Sequence, residues 1–516
     1  MPSRHLAKFL HFSSVVCIWP EPDFTARNGS QNLISMQTIS SVWPPSACAL
    51  LSWPCRRGLR PFICASIGMF ATVTQADSID RYLETEMANN HIPGLALAVI
   101  RNGKVIKLQT YGDANLEWGT MVGPDTEFQL ASTTKILTGT ALMTLVERGK
   151  IRLDDPVSKY LPDAPPAWKD VTVRNLATHT SGIPEAGGLD TTSLSTVAEI
   201  VAAAGKLPLR HAPGTESGYG SADFVVLSRI LETVFGKSYP DLLAELFFEP
   251  VKMKSSGFDS AVIIGPIRSS DLIRHRAGVY LWREGKQRVH SFHFPFNAYS
   301  AGGLYSSVGD LARWISALDR GEILDSQTQA QMWSPYRLKN GEQTPWAIGW
   351  VARTYEGRKT AGHSGGPALS DLLRFVDEKL TIIVLQNQQR MYPYLAQGVA
   401  DLYLTPHPPV TAALRPDPNP RQSALVKAFL MGLAQGSIDE SLFAPGHGEL
   451  VDDVRSLLVP FSHWLGPIDG FKAVTRVEIP GSVEWTYAAT YGKKVVDWIF
   501  DFDASGKITG MNETTP

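Results

Sequence analysis

Cysteine is scarce in this sequence. The 516-residue chain holds four, Cys17, Cys48, Cys55 and Cys64, and none follows Cys64. An excess of either charge is also missing: 48 Lys and Arg face 50 Asp and Glu, a formal net charge of −2. That balance argues against nucleic acid as a main partner. No uninterrupted run of about 18 apolar residues occurs, so stable insertion in a membrane as a helix is not expected. There is no H-E-x-x-H and no paired spacing of metal ligands. His290 and His293 could share a metal, but two loop histidines are more often solvated or hydrogen-bonded. No metal and no cofactor are therefore expected.

The cysteines crowd into residues 1–76, which differ from the rest. Arg56, Arg57 and Arg60, the apolar stretch Pro61 to Val73, and Thr74-Gln75-Ala76 follow the order of a secretory signal. Such a signal belongs near a start codon, and Met36 is a candidate for one. The alternative is a disordered extension with one apolar patch. Export to the periplasm or medium is the expectation, and the mature chain would then have neither disulfides nor a thiol nucleophile.

What is present is a long mixed pattern. Leu95 to Ile100 and Val105 to Leu108 flank Asn102-Gly103, a hairpin signal. Helical periodicity runs from Ser132 to Gly149. Strand character returns at Ile348–Ala352, Lys359–His363, Leu372–Val376 and Leu380–Leu385, the last two separated by Asp377-Glu378-Lys379. Strands at both ends with helices between them predict an α/β (α+β) fold: an antiparallel sheet flanked by helices, with an inserted helical region. This unit is placed at 77–405. Six prolines between 406 and 420 mark a linker at 406–421. Residues 422–516 are expected to form a small α+β domain. It would open with a helix from Gln422 to Leu433 and end in strands Val483–Tyr491 and Lys494–Asp503. There Trp498, Phe500 and Phe502 alternate with more polar positions. The pattern suits an NTF2-like module for packing, dimerisation or the substrate edge.

The residues that carry chemistry begin with Ser132-Thr133-Thr134-Lys135. A serine and a lysine three apart at a helix start share one face. Free N–H groups and the dipole there favour negative charge, and an amine within reach makes a hydroxyl a nucleophile. An isolated S-x-x-K also arises as a helix cap followed by a solvated lysine, so its weight comes from the segments around it. Leu153-Asp154-Asp155-Pro156 through Leu161-Pro162 follows, then Val171 to Gly182, then Pro213-Gly214-Thr215 leading to Tyr219. Ser300 to Ser307 and Gly362-His363-Ser364-Gly365-Gly366 complete the series.

In that order the segments resemble the serine β-lactamase and penicillin-binding-protein superfamily, over roughly residues 90 to 390. The branch is that of class C-like β-lactamases, their esterase relatives and D-stereospecific peptidases. The resemblance implies that Ser132 is the nucleophile, that Lys135 takes or shares its proton, and that Tyr219 exchanges protons with nucleophile and leaving group. A free lysine has a pKa of about 10.4, so a neutral amine would need burial or a nearby cation. Otherwise Lys135 is a charged donor that orients Ser132. The backbone N–H groups of Ser132 and Gly366 would form an oxyanion hole. His363, Ser364 and Gly365 occupy the place of a Lys-Thr-Gly strand, and Ser221 that of an asparagine. The histidine removes a permanent cation from the carboxylate side, and serine is a shorter arm than asparagine.

These residues imply a serine hydrolase with an acyl-enzyme on Ser132, acting on a small ester, amide or peptide. Carboxylic esters are expected first, D-amino-acid peptides and amides second, and β-lactams as slow substrates. The competing expectation is a non-catalytic peptide or cell-wall binding protein. Gly362 to Gly366 also matches G-x-S-x-G, but that nucleophile elbow needs a helix after it, where a β-hairpin is expected. His179-Thr180-Ser181-Gly182 reads as a structural segment that caps a helix or shapes the pocket rim. The oligomeric state is left open.

Overall fold

Leu95 to Ile100 form a continuous apolar run rather than an alternating one, and every residue of it is buried. A strand of this kind is covered on both faces. It is β1 (Gly94–Arg101), the centre of a seven-stranded antiparallel sheet in a computed structural model of the chain. The structure describes residues 75–185, 196–258, 261–264, 267–290, 298–366, 370–389, 394–405, 417–479, 482–492 and 494–514. The four cysteines, the predicted export signal up to Thr74, His293 and most of the proline-rich linker lie outside these residues.

β1 turns through Asn102-Gly103, both in the left-handed region (φ 53° and 71°), into β2 (Lys104–Asn115), then β3 (Thr120–Met121). The remaining strands come from far along the chain: β4 (Val351–Tyr355), β5 (Arg358–Gly365), β6 (Ser370–Phe375) and β7 (Leu380–Gln386). Their order in the sheet is β4-β5-β6-β7-β1-β2-β3. β1 and β7 pair with Leu95 opposite Gln386, so both ends of this region meet at the sheet centre. The expected antiparallel sheet with an inserted helical region is thus present.

The two faces of the sheet feed two cores, as a period of two requires. Ala96, Ala98 and Ile100 of β1, with Leu372 and Ile383, join the helices of the insert. Chief among these is α2 (Thr134–Glu147), buried on all sides from Thr134 to Leu145. Others are α3 (Val173–Ala177), α4 (Ala222–Phe235), the short α5 (Tyr299–Gly302) and α6 (Val308–Asp319). Leu95, Leu97, Val99, Ile382 and Val384 point the other way, toward α1 (Gln75–Asn89) and α7 (Leu395–Asp401). A buried ion pair closes the sheet margin: Arg374 of β6 meets Asp319 at 2.7 Å, and Asp319 also accepts from Gly103 N at 3.0 Å.

The C-terminal region opens with α8 (Pro420–Leu433), includes α9 (Val459–Leu465), and ends in a four-stranded antiparallel sheet. Its strands are β8 (Gly470–Ile479), β9 (Ser482–Tyr491), β10 (Lys494–Asp503) and β11 (Ile508–Thr514). In β10, Val496, Trp498, Phe500 and Phe502 are buried in alternation. They belong to the same core as the back of the large sheet. Tyr394, just before α7, lies 5.0 Å from the Trp464 ring, and Lys494 pairs with Asp401 at 2.6 Å. The described residues therefore form one compact unit.

Candidate active site

Ser132 lies in a single 3-10 turn (Ala131–Thr133) that leads directly into α2. Ala131 adopts φ 47°, a left-handed conformation that costs a non-glycine residue about 1–2 kcal/mol. The surroundings hold this turn firmly. Leu130 N donates to Leu304 O at 2.9 Å, and Ser370 Oγ donates to Leu130 O at 2.7 Å and lies 2.8 Å from Thr133 Oγ1. Thr133 Oγ1 in turn donates to His363 O at 3.2 Å. The β5 edge is thereby pressed against the serine turn. A Cβ on Gly365 would lie 2.1 Å from Leu130 O, so only glycine fits there.

Three side chains converge in a triangle. Tyr219 OH donates to Ser132 Oγ at 2.7 Å, Lys135 Nζ donates to Tyr219 OH at 2.9 Å, and Lys135 Nζ reaches Ser132 Oγ at 3.4 Å. Lys135 is 1% exposed, and its third donor meets Ala301 O on α5 at 2.8 Å. The ammonium also sits 4.8 Å from the Tyr219 ring centroid. A hydroxyl in contact with a phenol oxygen can lose its proton to that oxygen once it is ionised, and the neighbouring ammonium stabilises the ionised form.

Tyr219 lies in a loop, and its ring is wedged among others. Trp346 stacks on it at 5.2 Å, the His179 ring stands at 4.8 Å and the His363 ring at 6.0 Å. His179-Thr180-Ser181-Gly182 follows α3, whose Thr172 and Asn175 form a capping box. This segment is buried and shapes the tyrosine loop rather than capping a helix. His179 O accepts from Gly218 N at 2.9 Å, and Thr180 O accepts from Gly214 N at 2.8 Å. Behind it, Asp223 of α4 accepts from Ser181 Oγ and lies 3.3 Å from His179 Nδ1.

The remaining predicted positions are spread along the rim. His363 Nδ1 bonds to Ser364 O at 2.7 Å, while its Nε2 is enclosed without a partner among the described residues. Burial, aided by the charge on Lys135, pushes the imidazole down to about 3, so it is neutral at pH 7. Ser364 pairs across the sheet with Asp371, and Gly366 follows β5 in an exposed turn. No hydrogen bond among the described residues links the Ser364 or Ser221 side chain to the triangle. Ser221 instead gives its backbone N–H to Glu185 Oε1 at 2.5 Å, and Ala222 N adds a second bond at 3.1 Å.

Sequence reasoning missed Ala301, Trp346, Asp223 and Glu185. A backbone acceptor such as Ala301 O has no residue signature. Asp223 looks like an ordinary acid in a helix first turn. Trp346 could have been flagged as an aromatic ahead of the β4 turn. Among the described residues no group of three or more His, Cys, Asp or Glu side chains is placed to hold a metal ion.

A serine on a helix-opening turn, a lysine one turn on and a tyrosine bridging both define the penicillin-recognising class of serine hydrolases. Residues 79–402 match the family model described as Beta-lactamase, and the chain belongs to that family. Protein flp of Staphylococcus aureus (strain MW2) is 26% identical over 333 residues, covering 61% of this chain and 63% of that protein. The chain thus aligns with less than two thirds of that relative. Among solved structures, D-amino acid amidase from Ochrobactrum anthropi SV3 has a TM-score of 0.54 at 22% identity, covering 64% of this chain and 97% of its own. The octameric penicillin-binding protein homologue from Pyrococcus abyssi reaches 0.55 at 22% identity, covering 86% of this chain and 96% of its own. At such identities the likeness is one of fold.

Proposed function

We propose that this protein is an exported serine hydrolase that cleaves carboxylic esters through an acyl-enzyme on Ser132. The observation that carries the reading is the closed triangle of Ser132, Lys135 and Tyr219, with Tyr219 OH at 2.7 Å from Ser132 Oγ. Ser132 Oγ attacks the carbonyl while its proton passes to Tyr219, which reacts as the phenolate that the charged Lys135 stabilises. The Ser132 and Gly366 amides receive the oxyanion. The proton then moves through Tyr219 to the leaving alcohol, and water reverses the sequence. Each positioned acid or base of this kind is worth about 10²–10⁴ in rate.

The lean toward esters rests on the rim. His363 is neutral and Ser221 turns its backbone toward Glu185, so an obligatory substrate carboxylate finds no permanent cation at either place. A second reading, hydrolysis of D-amino-acid amides or peptides, is favoured by the exposed Glu185 carboxylate beside Ser221, which suits a substrate ammonium. The signal-like order of residues 56–76 supports the export reading.

The test compares a short-chain p-nitrophenyl ester, a D-amino-acid amide and a chromogenic cephalosporin in wild type, Ser132→Ala and Ser364→Ala. Ester turnover lost only in Ser132→Ala is the expected result. Preferred turnover of the amide or the cephalosporin would reassign the substrate. Activity lost only in Ser364→Ala would remove Ser132 from the mechanism, and no turnover by wild type would favour a binding protein.

A further inference from the structure

We infer that His179 and Asp223 are a buried positioning pair for Tyr219, and that the charge on Asp223 decides whether the Ser132–Lys135–Tyr219 triangle stays assembled; the inference rests on the proposed acyl-enzyme. Tyr219 has no helix of its own to hold it. Its backbone is fixed from His179, whose left-handed conformation (φ 52°) turns its carbonyl toward Gly218 N. Its ring is fixed between Trp346 and the His179 imidazole, itself edge-on to Trp346 at 5.0 Å.

The His179 ring is in turn set by Asp223, four residues beyond Tyr219 in the first turn of α4. The two side chains are 3% and 5% exposed, so no bulk water competes for their contact. The other oxygen of Asp223 accepts from Ser181, whose Oγ receives Ile183 N at 2.9 Å. One carboxylate thereby ties the His179–Ile183 segment to the helix that follows the tyrosine loop. The charged and titratable groups facing it are His179 on that segment, Arg210 and His211 ahead of the loop, and Lys135 on α2. Glu185 stands at the start of α4.

Chemistry makes the pair sensitive to protons. Burial raises Asp223 to about 7, against the lowering pull of Ser181 and the nearby cations. Burial and the Lys135 charge hold His179 well below 6.5, so the imidazole stays neutral. A neutral imidazole can donate from Nδ1 to an ionised Asp223. Once Asp223 takes a proton, the charge-assisted bond becomes one between neutral groups, the ring is held less firmly, and Tyr219 loses support from one wall. His179 and Asp223 touch no reacting atom; they act through Tyr219.

The experiment uses the full chain and a fluorophosphonate probe, which reads Ser132 nucleophilicity whatever the natural substrate. Wild-type labelling is expected to climb through an acid limb near pH 7. In Asp223→Asn the rate at pH 8 should fall roughly 10- to 100-fold and the limb should vanish, because a small misplacement of a catalytic group is that costly. His179→Phe keeps the ring packing and should lose the same limb. If Asp223→Asn does not fold by circular dichroism, His179→Phe decides. Variants that keep both the wild-type rate and the limb would overturn the inference alone. Labelling that survives in Ser132→Ala, or none in wild type, would overturn the acyl-enzyme and this inference with it.

Discussion

At the scale of the residue, Lys135 combines full burial with three directed donations, to Ser132, Tyr219 and Ala301. Replacing it by methionine keeps the volume and removes the only side-chain nitrogen in the triangle. Lys135→Met is expected to retain the fold and to lose about 10²–10⁴ in acylation rate, measured by the ester burst. The spacing of Ser132 and Lys135 was legible because a helix turn brings positions three apart together. Tyr219 was legible only from the order of segments, since no local rule joins residues 132 and 219. A second residue-scale prediction concerns Asp371, pushed up to about 7 by burial and held by one backbone N–H from Ala396. A raised carboxylate binds its proton more tightly folded than unfolded, so its share of stability falls as pH rises from about 4 to 7. Asp371→Asn should therefore raise Tm relative to wild type at pH 8 more than at pH 5, measured by differential scanning calorimetry.

At the scale of the element, close backbone contacts fix where helices and strands begin. α2 was expected from Ser132, but regular helix starts at Thr134, because the left-handed Ala131 and the 3-10 turn aim the serine outward. The strand expected at Ile348–Ala352 begins at Val351. Gly349, at φ 74°, instead packs its backbone against α2, where a Cβ on Gly139 would lie 2.1 Å from Ile348 O. Apolar periodicity cannot report such a crossing, since it depends on an atom that is missing. Gly139→Ala is expected to destabilise by roughly 1–3 kcal/mol through overpacking, read as a lower denaturant midpoint with m unchanged. Gly365→Ala should displace the β5 edge from Leu130 and reduce acylation, with kcat falling more than KM rises.

At the scale of the whole molecule, the sheet and the tail share one apolar core. The alternation of Trp498, Phe500 and Phe502 was legible as a strand with one buried face. That this core runs on to α7 and the back of β1 was not, because a buried residue does not name its partner. A shared core predicts one cooperative transition for the catalytic and C-terminal regions, with matching calorimetric and van't Hoff enthalpies. Phe461, fully buried near Tyr394 and Trp498, is the residue to test. Phe461→Ala should lower that single transition by roughly 3–5 kcal/mol rather than split it. The pairing of Leu95 with Gln386 adds a constraint on how the chain is made. A ribosome releases β1 long before β7 exists, so the nascent chain carries an unpartnered apolar strand through synthesis of the whole helical insert. The centre of the sheet can close only after Gln386 has emerged, so the sheet is completed late in synthesis.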